Sequence, residues 1–152
     1  MGGAVDLHSH TTASDGTLRP RELVRLAARH GVRVLAVTDH DSTEGLHEAM
    51  DEARKLPPLE IVPGLEINCD VPGAEIHVLG YCLDWEAEWF QEFLGAQREE
   101  RLGALLARAA AGQPEDEAKR ALLELALLAP DDPRLAELLR ERAVRARAAA
   151  AR

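Results

Sequence analysis

Aromatic residues are nearly missing: Phe, Trp and Tyr together make up 3% of the 152 residues. Any core must therefore be aliphatic. Cysteine occurs twice, as Cys69 and Cys82, with no C-x-x-C pair. Two such residues build no disulfide framework, so each is expected to be a small buried hydrophobe rather than a ligand, in a reducing cytoplasm. No run reaches the roughly 18 apolar residues of a membrane span. The first residues lack a basic segment followed by an apolar one, so no signal peptide is expected. Asp6 stands where a myristoylation motif needs Ser or Thr. No histidine lies beyond residue 77.

Positive charge is also short, and the formal net charge is -9. Residues 134–152 hold six Arg and two Glu, so the rest of the chain is more acidic still. A strongly acidic surface keeps a protein soluble and disfavours long duplex nucleic acid.

Hydrophobic periodicity outlines the elements. Residues 4–9 alternate and predict a strand. Pro20 opens a helix with an apolar stripe at Leu23, Leu26 and Ala27, and Gly31 is placed to end it. Residues 32–38 predict a buried strand. Asp41 or Ser42 is expected to cap a helix running to about Lys55, with Leu46, Ala49, Met50 and Ala53 inward. Residues 59–63 and 75–81 predict two further strands. This strand–helix repetition predicts βαβ units and a mainly parallel sheet. From Trp85 the pattern turns helical: Trp85–Ala111, Pro114–Leu128 and Pro133–Ala150. An organisational boundary is expected near residue 84 or at Gly112.

Chemistry-bearing residues gather at strand ends, where α/β sheets place their sites. His8 and His10 are two apart on a predicted strand, so both rings are expected to project to one side. That pair suits a divalent ion such as Zn, Mn or Fe, and equally suits polar histidines at a strand end. Asp39-His40-Asp41 follows a buried strand, with a carboxylate on each side of an imidazole. It reads as a ligand set or as a helix cap. Glu66 follows Pro63-Gly64, and His77 sits within an apolar strand. His30, at a helix C-terminus, and His47, off its helix's apolar stripe, are expected to have no role.

Taken in order, the segments are D6-L-H-S-H10, S14-D-G16, T38-D-H-D41, P63-G-L-E66 and E75-I-H-V-L-G-Y81. Over residues 5 to about 101 this series resembles the amino-terminal motifs of the PHP (polymerase and histidinol phosphatase) family. It is most similar to small stand-alone, metal-dependent phosphoesterases. The resemblance implies a distorted (β/α)7 barrel with up to three divalent ions, Mn, Fe or Zn. It implies that His8, His10 and Glu66 hold the first ion, that Glu66 bridges to a second held by His77, and that Asp15 and His40 hold the third. Such ions activate water against a phosphate ester. Arg98 or Arg101 would hold phosphate, where each is otherwise a solvated helix charge. The implied substrate is a small phosphorylated molecule, a nucleotide or short oligonucleotide.

A complete member of that family carries a later His-Pro and a late Asp-x-His, and neither occurs here. The expected architecture is therefore α/β: a partial PHP-type barrel of about four parallel strands over residues 1–111, then an α-helical tail over 112–152. Open sheet edges need cover, from that tail or from self-association into a homo-oligomer. The alternative to an enzyme is a metal-binding but catalytically incomplete fragment, or a regulatory or engineered module.

Overall fold

The computed structural model describes residues 3–71, 74–111 and 115–150. Its elements are β1 (Ala4–Asp6), α1 (Pro20–Arg29), β2 (Val32–Val37), α2 (Leu46–Ala53), β3 (Glu60–Val71), β4 (Ala74–Tyr81), α3 (Glu88–Ala111), α4 (Glu115–Leu128) and α5 (Pro133–Ala150). They fall into two compact units, Met1–Gly95 and Ala96–Arg152, divided inside α3.

The first unit is a half-barrel with strand order β1-β2-β3-β4. β1, β2 and β3 run parallel, as the βαβ spacing predicts. β4 runs antiparallel to β3, so the sheet is mixed where the sequence predicts a mainly parallel one. The physical reason is length. Only two residues separate Val71 from Ala74, and a parallel return needs a crossover of a dozen or more.

β3 also runs well past Pro63, where its strand is expected to stop. It changes partner there: Val37 faces Pro63 across β2, and Gly64 faces Tyr81 across β4. Proline cannot donate to a ladder, so the switch point suits it. Gly64 is required at the switch, since a Cβ there would lie 2.8 Å from the Gly80 carbonyl oxygen.

β1 is shorter than expected, because side chains take over from the ladder after Asp6. Ser9 Oγ donates to the Ala36 carbonyl at 2.5 Å, and the Thr38 amide donates to the Ser9 carbonyl at 2.8 Å. These bonds keep residues 7–11 beside β2 while freeing their side chains for the site.

α1 starts with Pro20 at its first turn, and the Arg19 amide donates to Glu22 Oε2 at 3.1 Å. Gly31 ends it with φ 77°. α1 and α2 cover the sheet through Val24, Ala27, Leu35, Val37, Leu46, Ala49, Ala53 and Leu59. The α1 stripe is centred on Val24 and Ala27 rather than on Leu23 and Leu26. α2 begins at Leu46, later than expected, because Asp41 takes φ 48° and the turn from 41 to 45 is not helical. Each fully buried Leu or Val here contributes about 1.5–3 kcal/mol.

Ion pairs tie α1 to α2: Arg21 to Glu48, and Arg25 Nε to Glu52 Oε1 at 2.7 Å. Lys55 also reaches Glu52, at 2.9 Å. The hydrogen bond from Arg25, then that from Lys55, hold the Glu52 carboxyl down at about 2. Its pKa is lower folded than unfolded, so its contribution is complete above the ordinary value of 4.5 and is lost as pH falls towards 2. Glu52→Gln is expected to flatten the acid limb of thermal stability across that window. Melting curves at stepped pH check this, and parallel acid limbs in both proteins would reject it.

The second unit holds a separate aliphatic core from three helices: Leu102, Leu105 and Ala109 of α3, Ala121 and Leu125 of α4, and Leu135 and Leu138 of α5. The i, i+3, i+7 spacing in α3 gives one face per helix. Arg142 closes the set by donating to the Ala109 carbonyl at 2.7 Å. Among the described residues no helix is long and apolar enough to cross a membrane.

Candidate metal centre

The carboxyl ends of β1 and β2, together with β3 and β4, bring the widely spaced motif residues into one cluster. His8 and His10 lie just beyond β1 rather than within it, and His40 lies three residues beyond β2. Glu66 is on β3, and its backbone bridges to the His40 segment: the Glu66 amide donates to the Asp39 carbonyl at 3.1 Å, and the Asp41 amide donates to the Glu66 carbonyl at 2.9 Å. His77 is on β4, diagonal to Glu66 across the hairpin.

The Glu66 carboxylate, 2% exposed, is the hub. His8 Nε2 lies 3.0 Å and His10 Nε2 3.1 Å from its Oε2. His40 Nδ1 is 3.5 Å from the same oxygen, and His77 Nδ1 is 2.8 Å from Oε1. Asp15 completes the group, 3.3 Å from His10 Nδ1 and 3.8 Å from His40 Nε2. The rings follow one another around the hub: His8 to His10 at 5.0 Å, His10 to His40 at 4.6 Å, His40 to His77 at 5.1 Å.

Burial alone would raise the Glu66 carboxyl, but the His8 hydrogen bond and the nearby His40 outweigh it and hold it below the ordinary range. Burial is also the main reason the His40 imidazole is pushed down, against Glu66 and Asp15. An ionised carboxylate beside an imidazole that resists protonation is the state that ion binding requires.

Three groups of donors lie with their ligand atoms within 4.8 Å of one another: His8, His10 and Glu66; His10, Asp15 and His40; His40, Glu66 and His77. Among the described residues the buried Nδ1 atoms of His10 and His40 have no hydrogen-bond partner, although Asp15 and Glu66 oxygens stand near them. A buried imidazole nitrogen without a partner is costly, and a cation would satisfy it. Mixed imidazole and carboxylate donors suit Zn, Mn or Fe. These residues fit such ions.

All six motif residues named in the sequence therefore come together. Arg98 and Arg101 have partners in the second unit: Arg98 donates to the Leu128 carbonyl at 2.9 Å, and Arg101 lies 4.0 Å from Glu124. His47 stacks edge-on against Trp85 at 4.6 Å and stands 3.4 Å from Glu86. His30 caps α1. Neither joins a donor group among the described residues.

Sequence reasoning named Asp39 and Asp41 as the carboxylates flanking His40 but missed what they hold, and it missed Thr11, Asn68 and the parts that Ser14 and Tyr81 play within their motifs. Asp39 is buried and bonded to Thr11 and Ser14. Asp41 accepts from the Asn68 side chain at 2.9 Å, and Tyr81 donates to the Leu7 carbonyl at 2.7 Å. Only the density of polar residues around His10 and His40 hinted at them.

A half-barrel with imidazoles and carboxylates at the strand ends is the architecture of a metal-site α/β protein. The sequence matches the PHP domain over residues 6–140, and the chain belongs to that family. It is 44% identical over 97 residues to the 5'-3' exoribonuclease Rnm of Escherichia coli, covering 63% of this chain and 33% of that one. It is 37% identical over 80 residues to a 3',5'-nucleoside bisphosphate phosphatase of Chromobacterium violaceum, covering 53% and 28%. A solved amidohydrolase from Chromobacterium violaceum, with bound sulfate and no metal, superposes with a TM-score of 0.63 at 25% identity, covering 90% of this chain and 54% of that one. The chain thus spans about a third of the length of these curated relatives.

Proposed function

We propose that this chain carries a divalent-metal centre of the phosphoesterase type, acting on phosphate esters of nucleotides or short oligonucleotides. One observation carries the reading: a buried carboxylate ringed by four imidazoles, two of them with an orphaned nitrogen. The rings already favour the ionised carboxylate, and the orphaned imidazole nitrogens beside it are what a cation would satisfy. The names of the relatives, a ribonuclease and a nucleotide phosphatase, support a phosphate-ester substrate.

In this reading His8, His10 and Glu66 would hold one ion, His40, Glu66 and His77 a second, and His10, Asp15 and His40 a third. Divalent ions bound here supply Lewis acidity to a phosphoryl oxygen and lower the pKa of water. The residues themselves fix ligand direction: Glu66 orients four rings at once, and the backbone bridge to Asp39 and Asp41 keeps it in place.

The test is elemental mass spectrometry on protein purified without chelators, with phosphate release measured from a 3',5'-nucleoside bisphosphate and from short oligonucleotides in Mn(II). Bound ions with chelator-sensitive turnover are expected. Ions without turnover would favour the alternative, a metal-binding but catalytically incomplete module. Absence of ions would reject the centre itself.

A further inference from the structure

One tripeptide carries more than its histidine. Asp39 is 1% exposed, and among the described residues its carboxylate bonds to Thr11 and Ser14 rather than to a metal-ligand side chain. Its Oδ1 accepts from the Thr11 amide at 2.6 Å and from Ser14 Oγ at 2.7 Å, and its Oδ2 accepts from Thr11 Oγ1 at 2.8 Å. Thr11 is fully buried and is the root of a tight turn. The Ser14 and Gly16 amides both donate to its carbonyl, at 3.1 and 2.9 Å, and the Ala13 amide donates to its hydroxyl at 3.0 Å. Thr11 follows His10 directly, and the turn that it anchors presents Asp15. Asp39 itself precedes His40.

We propose that Asp39 is the positioning residue that sets His10, Asp15 and His40 as a donor group, by clamping Thr11 and Ser14 beside its own neighbour. This inference rests on the metal-centre reading. Two of the three donors sit between β1 and α1, on a segment that is itself neither helix nor strand. A charged acceptor with three donors is the strongest anchor such a turn has, since charge-assisted bonds are about twice as strong as neutral ones. The surroundings are shaped to the clamp: a Cβ on Gly45 would lie 3.0 Å from both Asp39 Oδ2 and Thr11 Oγ1.

The experiment titrates the full chain with Mn(II) alone, against a competing chelator. Asp15→Asn marks the binding step that belongs to this group, and His77→Ala marks the step that does not need the turn. Asp39→Asn and Thr11→Val are each expected to weaken the first step by about 10–100-fold and the second, whose group shares only His40 with the first, clearly less. Thr11→Ser keeps the hydroxyl and is expected to bind as the unaltered chain does. Should Asp39→Asn fail to fold, Thr11→Val carries the test. A merely structural Asp39 would lower the melting temperature with the first step intact, or weaken both steps alike, and either result overturns the proposal. Unaltered steps in Asp39→Asn and Thr11→Val, with Asp15→Asn and His77→Ala each losing its own step, sink this inference alone, whereas no Mn(II) on the unaltered chain sinks the metal-centre reading with it.

Discussion

Glu66→Gln is expected to lose two ions together. The carboxylate stands within 3.0 to 3.5 Å of His8, His10 and His40 through one oxygen and 2.8 Å from His77 through the other. Two of the three donor groups include it. Glutamine keeps the volume and one acceptor oxygen but removes the negative charge that balances a divalent ion. Loss of an outer partner of a ligand typically costs 10–100-fold in affinity, so loss of the shared ligand itself is expected to exceed about 100-fold at both groups. The His10, Asp15 and His40 group lacks Glu66 and is expected to persist. Ion content by elemental mass spectrometry, with far-UV circular dichroism to confirm folding, decides it. Loss of one ion only would reject a shared carboxylate.

The second large effect comes from His8→Ala with His10→Ala. His10 belongs to two groups and His8 to one of them, so the pair removes donors from both groups on the β1 side. The group of His40, Glu66 and His77 keeps every member. Bound metal is expected to fall by more than half, with what remains bound through β3 and β4. The pattern complements that of Glu66→Gln, because the surviving group differs. His30→Ala and His47→Ala serve as controls, since His30 caps a helix and His47 packs on Trp85 and Glu86. Unchanged stoichiometry in the double variant would show that the histidines past β1 are not ligands.

Much of this was legible in the chain because the signals were local. Pro133 and the break before it mark the start of α5, and Gly31 marks the end of α1. His8, His10, His40 and Glu66 each follow an apolar run, and strand ends converge in an α/β sheet. What escaped was set by tertiary contacts. The β3 reading stopped at Pro63, because a partner switch has no sequence signature of its own. The direction of β4 depended on counting two intervening residues rather than on its composition. Asp39 reads in the sequence as one of the two carboxylates flanking His40, and only the fold shows that it is buried against Thr11 and Ser14. Asp41 looked like a helix cap, but its φ of 48° and its bonds to Asn68 give it another job.

The partner switch at Pro63 divides the centre mechanically. His8, His10 and His40 ride on segments beside the helix-buttressed β1 and β2, whereas Glu66 and His77 ride on a two-stranded ribbon that has left β2 behind. A two-stranded ribbon is marginal alone, and such segments open more readily than a buried sheet. The two parts meet through the Asp39–Glu66–Asp41 backbone bridge and the side chains around it. An ion gripped from both sides would act as a rivet. Its binding would slow amide exchange along the ribbon far more than in β2, so the centre would stiffen the arm that helps to build it.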